Sequence, residues 1–206
     1  MSNTLYLQRN RHTLLIWLVT SLMTLSNIVS TQAPPNAGNT VPAGVPSEFQ
    51  YLFLSGIAPE AIERVWAALP YDSISLERSG CMVACPAYTV TLFRGSQEAW
   101  GRAELRSVGP AAALTTGSFP AKMGDFVGKV DVWSYGRLNY LLTQFKFVSL
   151  SSYRAGWTDD RTFTVTTIAG GRTKQVVEYG GIGPIELWAI QQAIDSIAKN
   201  IDWSQK

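Results

Sequence analysis

The chain has 206 residues, 46% hydrophobic and 16% charged, enough apolar side chain for a sizeable core, which excludes a disordered, low-complexity or fibrous polymer. Its 17 basic and 15 acidic residues give a net charge of +2 and a pI of about 8.6. Without Arg9 and Arg11, which fall in a leader-like segment, the balance is 15 against 15, so no electrostatic footprint for nucleic acid or an anionic membrane is expected.

Residues 1–33 carry Arg9, Arg11 and His12, then the apolar run Leu14 to Leu25, then the small and polar residues Ser26 to Ala33. That layout predicts a secretory signal peptide, and the run is too short for the roughly 20 residues of a membrane span. The expected localisation is export to the periplasm or outside the cell, with no stable membrane anchor after cleavage. His12 is the only histidine. A mature chain without it has no Ser-His-Asp triad, no Cys-His pair and no histidine-ligated zinc. Residues 34–47, with four prolines, two glycines and no charge, read as a disordered linker. Residues 48–206 are then expected to form a single α+β domain, a usual size.

Within it, Pro59 to Leu69 places Ile62, Val65, Trp66 and Leu69 at helical spacing, with Pro59 suited to a first turn. Ser73 to Leu76 alternates weakly. Ala87 to Phe93 alternates clearly, and with a turn at Arg94 to Ser96 and a return over Gln97 to Leu105 it predicts a hairpin. Arg106 to Lys129 keeps no period and reads as an irregular excursion with one short strand near Phe126. Val132 to Phe147 repeats apolar residues at helical spacing, with Asp131 or Ser134 as its cap. Phe163 to Ile168 and Thr173 to Tyr179 flank Gly170 and Gly171, the strongest hairpin signal in the chain. Pro184 to Asn200 predicts a last helix buried through Leu187, Ile190, Ile194 and Ile197. The expected architecture is α+β, an antiparallel sheet built from two hairpins with two or three helices packed on one face.

The segment Ser75 to Tyr88, SLERSGCMVACPAY, is followed by the alternating strand TVTLF. Downstream, Tyr153 and Thr158-Asp159 lead into FTVTTIAGGRTKQVVEYGG, and a closing helix carries Ile194-Asp195. Together these resemble the secreted bacterial family called domain of unknown function 6438, over roughly residues 73–200. Residues 107–121 read as an insertion and the helix within 48–70 as an addition to the family pattern. The resemblance implies secretion and an α+β domain, and implies no reaction.

Candidate chemistry is sparse. Cys81 and Cys85 are the only cysteines. No further cysteine or mature histidine can complete a metal site, so no metal or other cofactor is expected. Three intervening residues and Pro86 disfavour a redox pair, and a structural disulfide is the expected state in an oxidising space. Asp159 could act as a general base, but an Asp before a strand ordinarily caps a turn, and Tyr153 with Asp159 is expected to hold the loop entering the second hairpin. Glu77 and Arg78 precede the cysteine turn and form either a polar cluster beside it or, more plainly, a surface ion pair. Of the tryptophans, Trp66, Trp133 and Trp188 are expected in the core, and Trp100 and Trp157 on the surface, where a sugar or peptide would be bound. The leading expectation is a non-catalytic domain that binds an envelope protein or ligand through the disulfide turn and the Trp157 to Asp159 loop, with Tyr153 and Arg78 contributing. The alternatives are a small hydrolase using Asp159 and Glu77, and a thiol oxidoreductase using Cys81 and Cys85.

Overall fold

The computed structural model describes residues 41–54, 56–80, 85–108, 119–120 and 122–206. Among the described residues there are eight strands: β1 (Ser73–Arg78), β2 (Tyr88–Phe93), β3 (Trp100–Ser107), β4 (Gly124–Asp131), β5 (Tyr153–Arg154), β6 (Thr162–Ala169), β7 (Arg172–Tyr179) and β8 (Ser204–Gln205). They form one sheet in the order β5-β7-β6-β1-β2-β3-β4-β8. All neighbours are antiparallel except β5 and β7, which run parallel. The sheet is therefore mixed and larger than two hairpins, which corrects the expected construction while keeping the α+β class.

The differences have local causes. β5 and β8 are two residues each, too short to leave a period in the sequence. β4 runs for eight residues, where only a short strand near Phe126 was expected. Its pattern is hidden because the strand position between Phe126 and Val130 is Gly128, and a Cβ there would overlap Ile201. The first hairpin turns over Arg94 to Ala99, so β3 starts at Trp100.

The second hairpin is as expected. Gly170 and Gly171 both have positive φ, 54° and 75°, as the tight turn joining Ala169 to its partner Arg172 requires.

Among the described residues three α-helices accompany the sheet: α1 (Ile62–Ala68), α2 (Val132–Gln144) and α3 (Ile185–Lys199). Asp131 caps α2, its carboxylate accepting from the Ser134 amide at 2.8 Å. One core takes Ile74 and Leu76 of β1, Val90 and Leu92 of β2, Ala103 and Leu105 of β3 and Val165 of β6, all alternate strand positions, together with Tyr135, Leu138 and Leu142 of α2 and Leu187, Ile190 and Ile194 of α3. Trp66 of α1 is 1% exposed, its indole lies against Gly95, and its Nε1 donates to the Glu98 carbonyl at 2.6 Å. Val45 and Phe49 also bury in this core. Tyr51 reaches from the 3₁₀ turn Ser47–Phe53 to donate to the Val132 carbonyl at 3.2 Å.

Candidate functional site

One end of the sheet gathers most of the residues singled out above. Strand register places Tyr153, Glu178, Phe163, Arg78, Tyr88, Ser107 and Gly124 directly opposite one another across β5, β7, β6, β1, β2, β3 and β4. Directly paired residues share a face, so these seven form one row. The row continues the core face two residues beyond Leu76, Val90, Leu105 and Val165, where apolar packing gives way to polar side chains.

Helix α3 closes over this row. Among its buried residues are Gln191 and Asp195, four apart and so on one face. Asp195 accepts at Oδ1 from Arg78 Nε at 3.2 Å and from the Tyr88 hydroxyl at 2.6 Å, and its Oδ2 pairs with a guanidinium nitrogen of Arg78. The two side chains are only 11% and 9% exposed. The Arg78 guanidinium also lies 4.5 Å from the centre of the Phe163 ring. This overturns the plain reading of Arg78 as the surface partner of Glu77. The two are successive strand residues and point to opposite faces, so Glu77 is exposed and opposes Thr89 and Thr164.

A second buried carboxylate holds the loop before α3. Glu178 is 4% exposed; its Oε1 accepts from the Gly183 amide at 2.6 Å and its Oε2 from Gln191 Nε2 at 2.7 Å. Ser107 Oγ, in the same row, is buried without a hydrogen-bond partner among the described residues.

The phenol of Tyr88 is held above the ordinary value of 10.0, first by burial and then by its hydrogen bond to Asp195. Burial is also the first cause at Tyr51, Tyr71 and Tyr135. Raised phenols favour the protonated form in the folded state. Above pH 10 the unfolded chain then binds fewer protons than the native one, so this stabilisation is complete below about pH 10 and is lost as pH rises beyond it. Unfolding free energy should fall steeply above that pH, by up to about 1.4 kcal/mol per pH unit for each such tyrosine. Tyr88→Phe should make the alkaline limb measurably shallower in denaturant titrations.

The loop between β5 and β6 is held by Asp160 and not by Asp159 as expected. Asp160 accepts from the Arg161 amide at 2.7 Å and from Trp157 Nε1 at 3.2 Å, contacts that pull its carboxyl below the usual range. Its amide donates to the Tyr179 hydroxyl at 3.1 Å. Asp159 takes φ of 72°, a left-handed conformation Asp tolerates, and its exposed carboxylate accepts from Thr158 Oγ1 at 3.3 Å. Tyr153 is half-buried. No hydrogen bond or ion pair joins Asp159 to Glu77 among the described residues.

Trp157 is 54% exposed and packs against Gly180, where a Cβ would come within 3.0 Å of its Nε1. Beyond Gly180 lie Ile182, Ile185 and Trp188, which are 46%, 68% and 54% exposed. Trp188 on the surface corrects its expected place in the core: it stands one residue past Leu187, off the stripe α3 buries. Trp157 and Trp100 are exposed and Trp66 buried, as expected. Cys85 is buried, three residues before Tyr88; Cys81 lies outside the described residues.

Gln191 and Glu178 were not legible as site residues, and Asp195 stood out only within Ile194-Asp195 of the closing helix, with no role attached. The available signal was a polar pair four apart beside the apolar stripe of the last helix, a pattern that elsewhere marks a solvated flank. Among the described residues no group of three or more metal-ligating side chains is gathered, and no helix is long and apolar enough to cross a membrane.

The geometry defines an α+β domain whose sheet end carries a buried polar row closed over by α3. A family model described as a domain of unknown function (DUF6438) matches residues 72–198, and the chain belongs to that family. The match runs from just before β1 into the last turn of α3 and so takes in every member of the row. No curated protein and no solved structure matches the chain.

Proposed function

We propose that the chain is an exported domain that binds a protein or ligand of the cell envelope without catalysing a reaction, and that its contact surface is the rim formed by the Trp157 loop, Ile182, Ile185 and Trp188. The observation that carries this reading is the exposure of two indoles and two isoleucines around one glycine turn, since soluble surfaces seldom leave large apolar side chains grouped without a use. The chemistry of the polar row is already engaged. Asp195 and Glu178 accept hydrogen bonds from Arg78, Tyr88, Gly183 and Gln191, which suits a scaffold better than a general acid or base. The leader-like residues 1–33 support export.

Photo-crosslinking tests the reading. Benzoylphenylalanine placed at Ile185 in the full chain, expressed in its own host, should give a discrete adduct in the envelope fraction. The same probe at Glu77, on the opposite sheet face, should not. Equal adducts from both positions, or none from Ile185, would contradict it.

We further propose that Cys81 and Cys85 form a disulfide that fixes the corner between β1 and β2. Gly80 and Pro86 flank the pair, residue types that let a chain turn and leave extended, and Cys85 is buried. The non-reduced protein should weigh about two daltons less than the sum of its residues with free thiols, as one S–S bond requires. Cys81→Ser should lower stability by about 2 kcal/mol. Rapid equilibration of the pair with a thiol buffer near −270 mV would instead favour a redox role.

A further inference from the structure

We infer that the groove beside Trp100 binds a neutral oligosaccharide. Trp100 opens β3 opposite Asp131, at the other end of the sheet from the row of Tyr88 and Ser107, so this surface is distinct from the rim proposed above. Its indole is 49% exposed and borders a groove of about 890 Å³ whose charged lining is Glu98, Arg102, Lys129 and Asp202, joined by Asn200 and Ser204. A second hollow of about 460 Å³, between α2 and α3, shares Trp100, Lys129 and Asn200 with it, so the indole stands where the two meet.

The chemistry of the lining selects the ligand class. The four charges cancel in pairs. Among the described residues Glu98, Lys129 and Asp202 have no ion-pair partner, so their charged groups are available to a ligand. An anionic or cationic polymer would meet as many like charges as unlike ones. Sugar hydroxyls both donate and accept, so they satisfy carboxylates and ammonium groups alike, while the C–H face of a pyranose ring lies on an exposed indole. Arg102 is held in place, its guanidinium 4.0 Å from the centre of the Phe93 ring and 3.2 Å from Glu104 Oε1. An extended peptide would need a free strand edge to pair with. The β4 edge is already taken at Phe126 and Val127 by β8, and Ile201, Asp202 and Trp203 lie against the sheet face at Gly128.

Isothermal titration of the full chain with N-acetylchitohexaose and with cellohexaose tests the inference. At least one should bind with a Kd between about 10 μM and 1 mM. Trp100→Ala should weaken binding by at least about tenfold, Trp100→Phe should retain part of it, and Trp157→Ala should leave it unchanged. The phenylalanine variant keeps the test decisive if the alanine variant melts early. Absence of binding by both sugars up to about 10 mM would overturn the inference. So would binding indifferent to Trp100, or equal Trp100-dependent binding of an uncharged peptide of similar length. Loss of the rim crosslink with this binding intact would leave the inference standing, because the two surfaces are separate.

Discussion

Arg78→Ala should destabilise the protein by about 3–5 kcal/mol, the range for removing one partner of a buried ion pair. The substitution strips Asp195, whose side chain is 9% exposed, of its guanidinium partner and leaves the Tyr88 hydroxyl as its remaining donor among the described residues. It also removes the cation from the Phe163 ring. Thermal midpoints should drop by roughly 6–20 °C at the usual 2–4 °C per kcal/mol for chains of this size. Asp195→Ala combined with Arg78→Ala should cost less than the two single losses added, since both delete the same contact. A loss within about 0.5 kcal/mol, the range of ordinary surface changes, would show that the pair contributes little.

Glu178→Ala should cost about 3 kcal/mol, because a buried donor, the Gln191 side chain, and a part-buried one, the Gly183 amide, lose a charged acceptor together. Glu178→Gln should cost less than Glu178→Ala. Its carbonyl can keep the Gly183 amide, and its NH₂ can donate to Gln191 once that amide turns to present its oxygen. The effect should be local as well as global, with amide exchange at Gly183 rising well before that of Val165 in the sheet centre. Unchanged exchange at Gly183 would mean that the loop before α3 is held by something else.

Much of the fold was legible because it rests on local rules. The glycine pair between two Val/Thr-rich runs fixed the β6–β7 hairpin, and the 3.6-residue spacing of Leu187, Ile190 and Ile194 marked α3 to within a residue. Asp131 was readable as a cap because capping is a contact three residues long. What escaped depends on distant partners. β4 was obscured by Gly128, whose lack of a side chain is explained only by Ile201, more than seventy residues later. Arg78 was assigned to its neighbour Glu77, although strand alternation separates the two and the true partner, Asp195, comes from the last helix. Trp157 stood out as a surface aromatic from its irregular surroundings. Trp188 did not, since helix periodicity alone cannot tell the last buried position from the first exposed one.

The most direct test of the division between a structural polar row and a working apolar rim is a paired measurement on Trp157→Ala/Trp188→Ala in the full chain. Both indoles are about half exposed, so their loss should move the thermal midpoint by no more than a few degrees, in keeping with surface substitutions, while the crosslink from position 185 should disappear. An undiminished crosslink, or a collapse in stability like that expected of Arg78→Ala, would contradict the account.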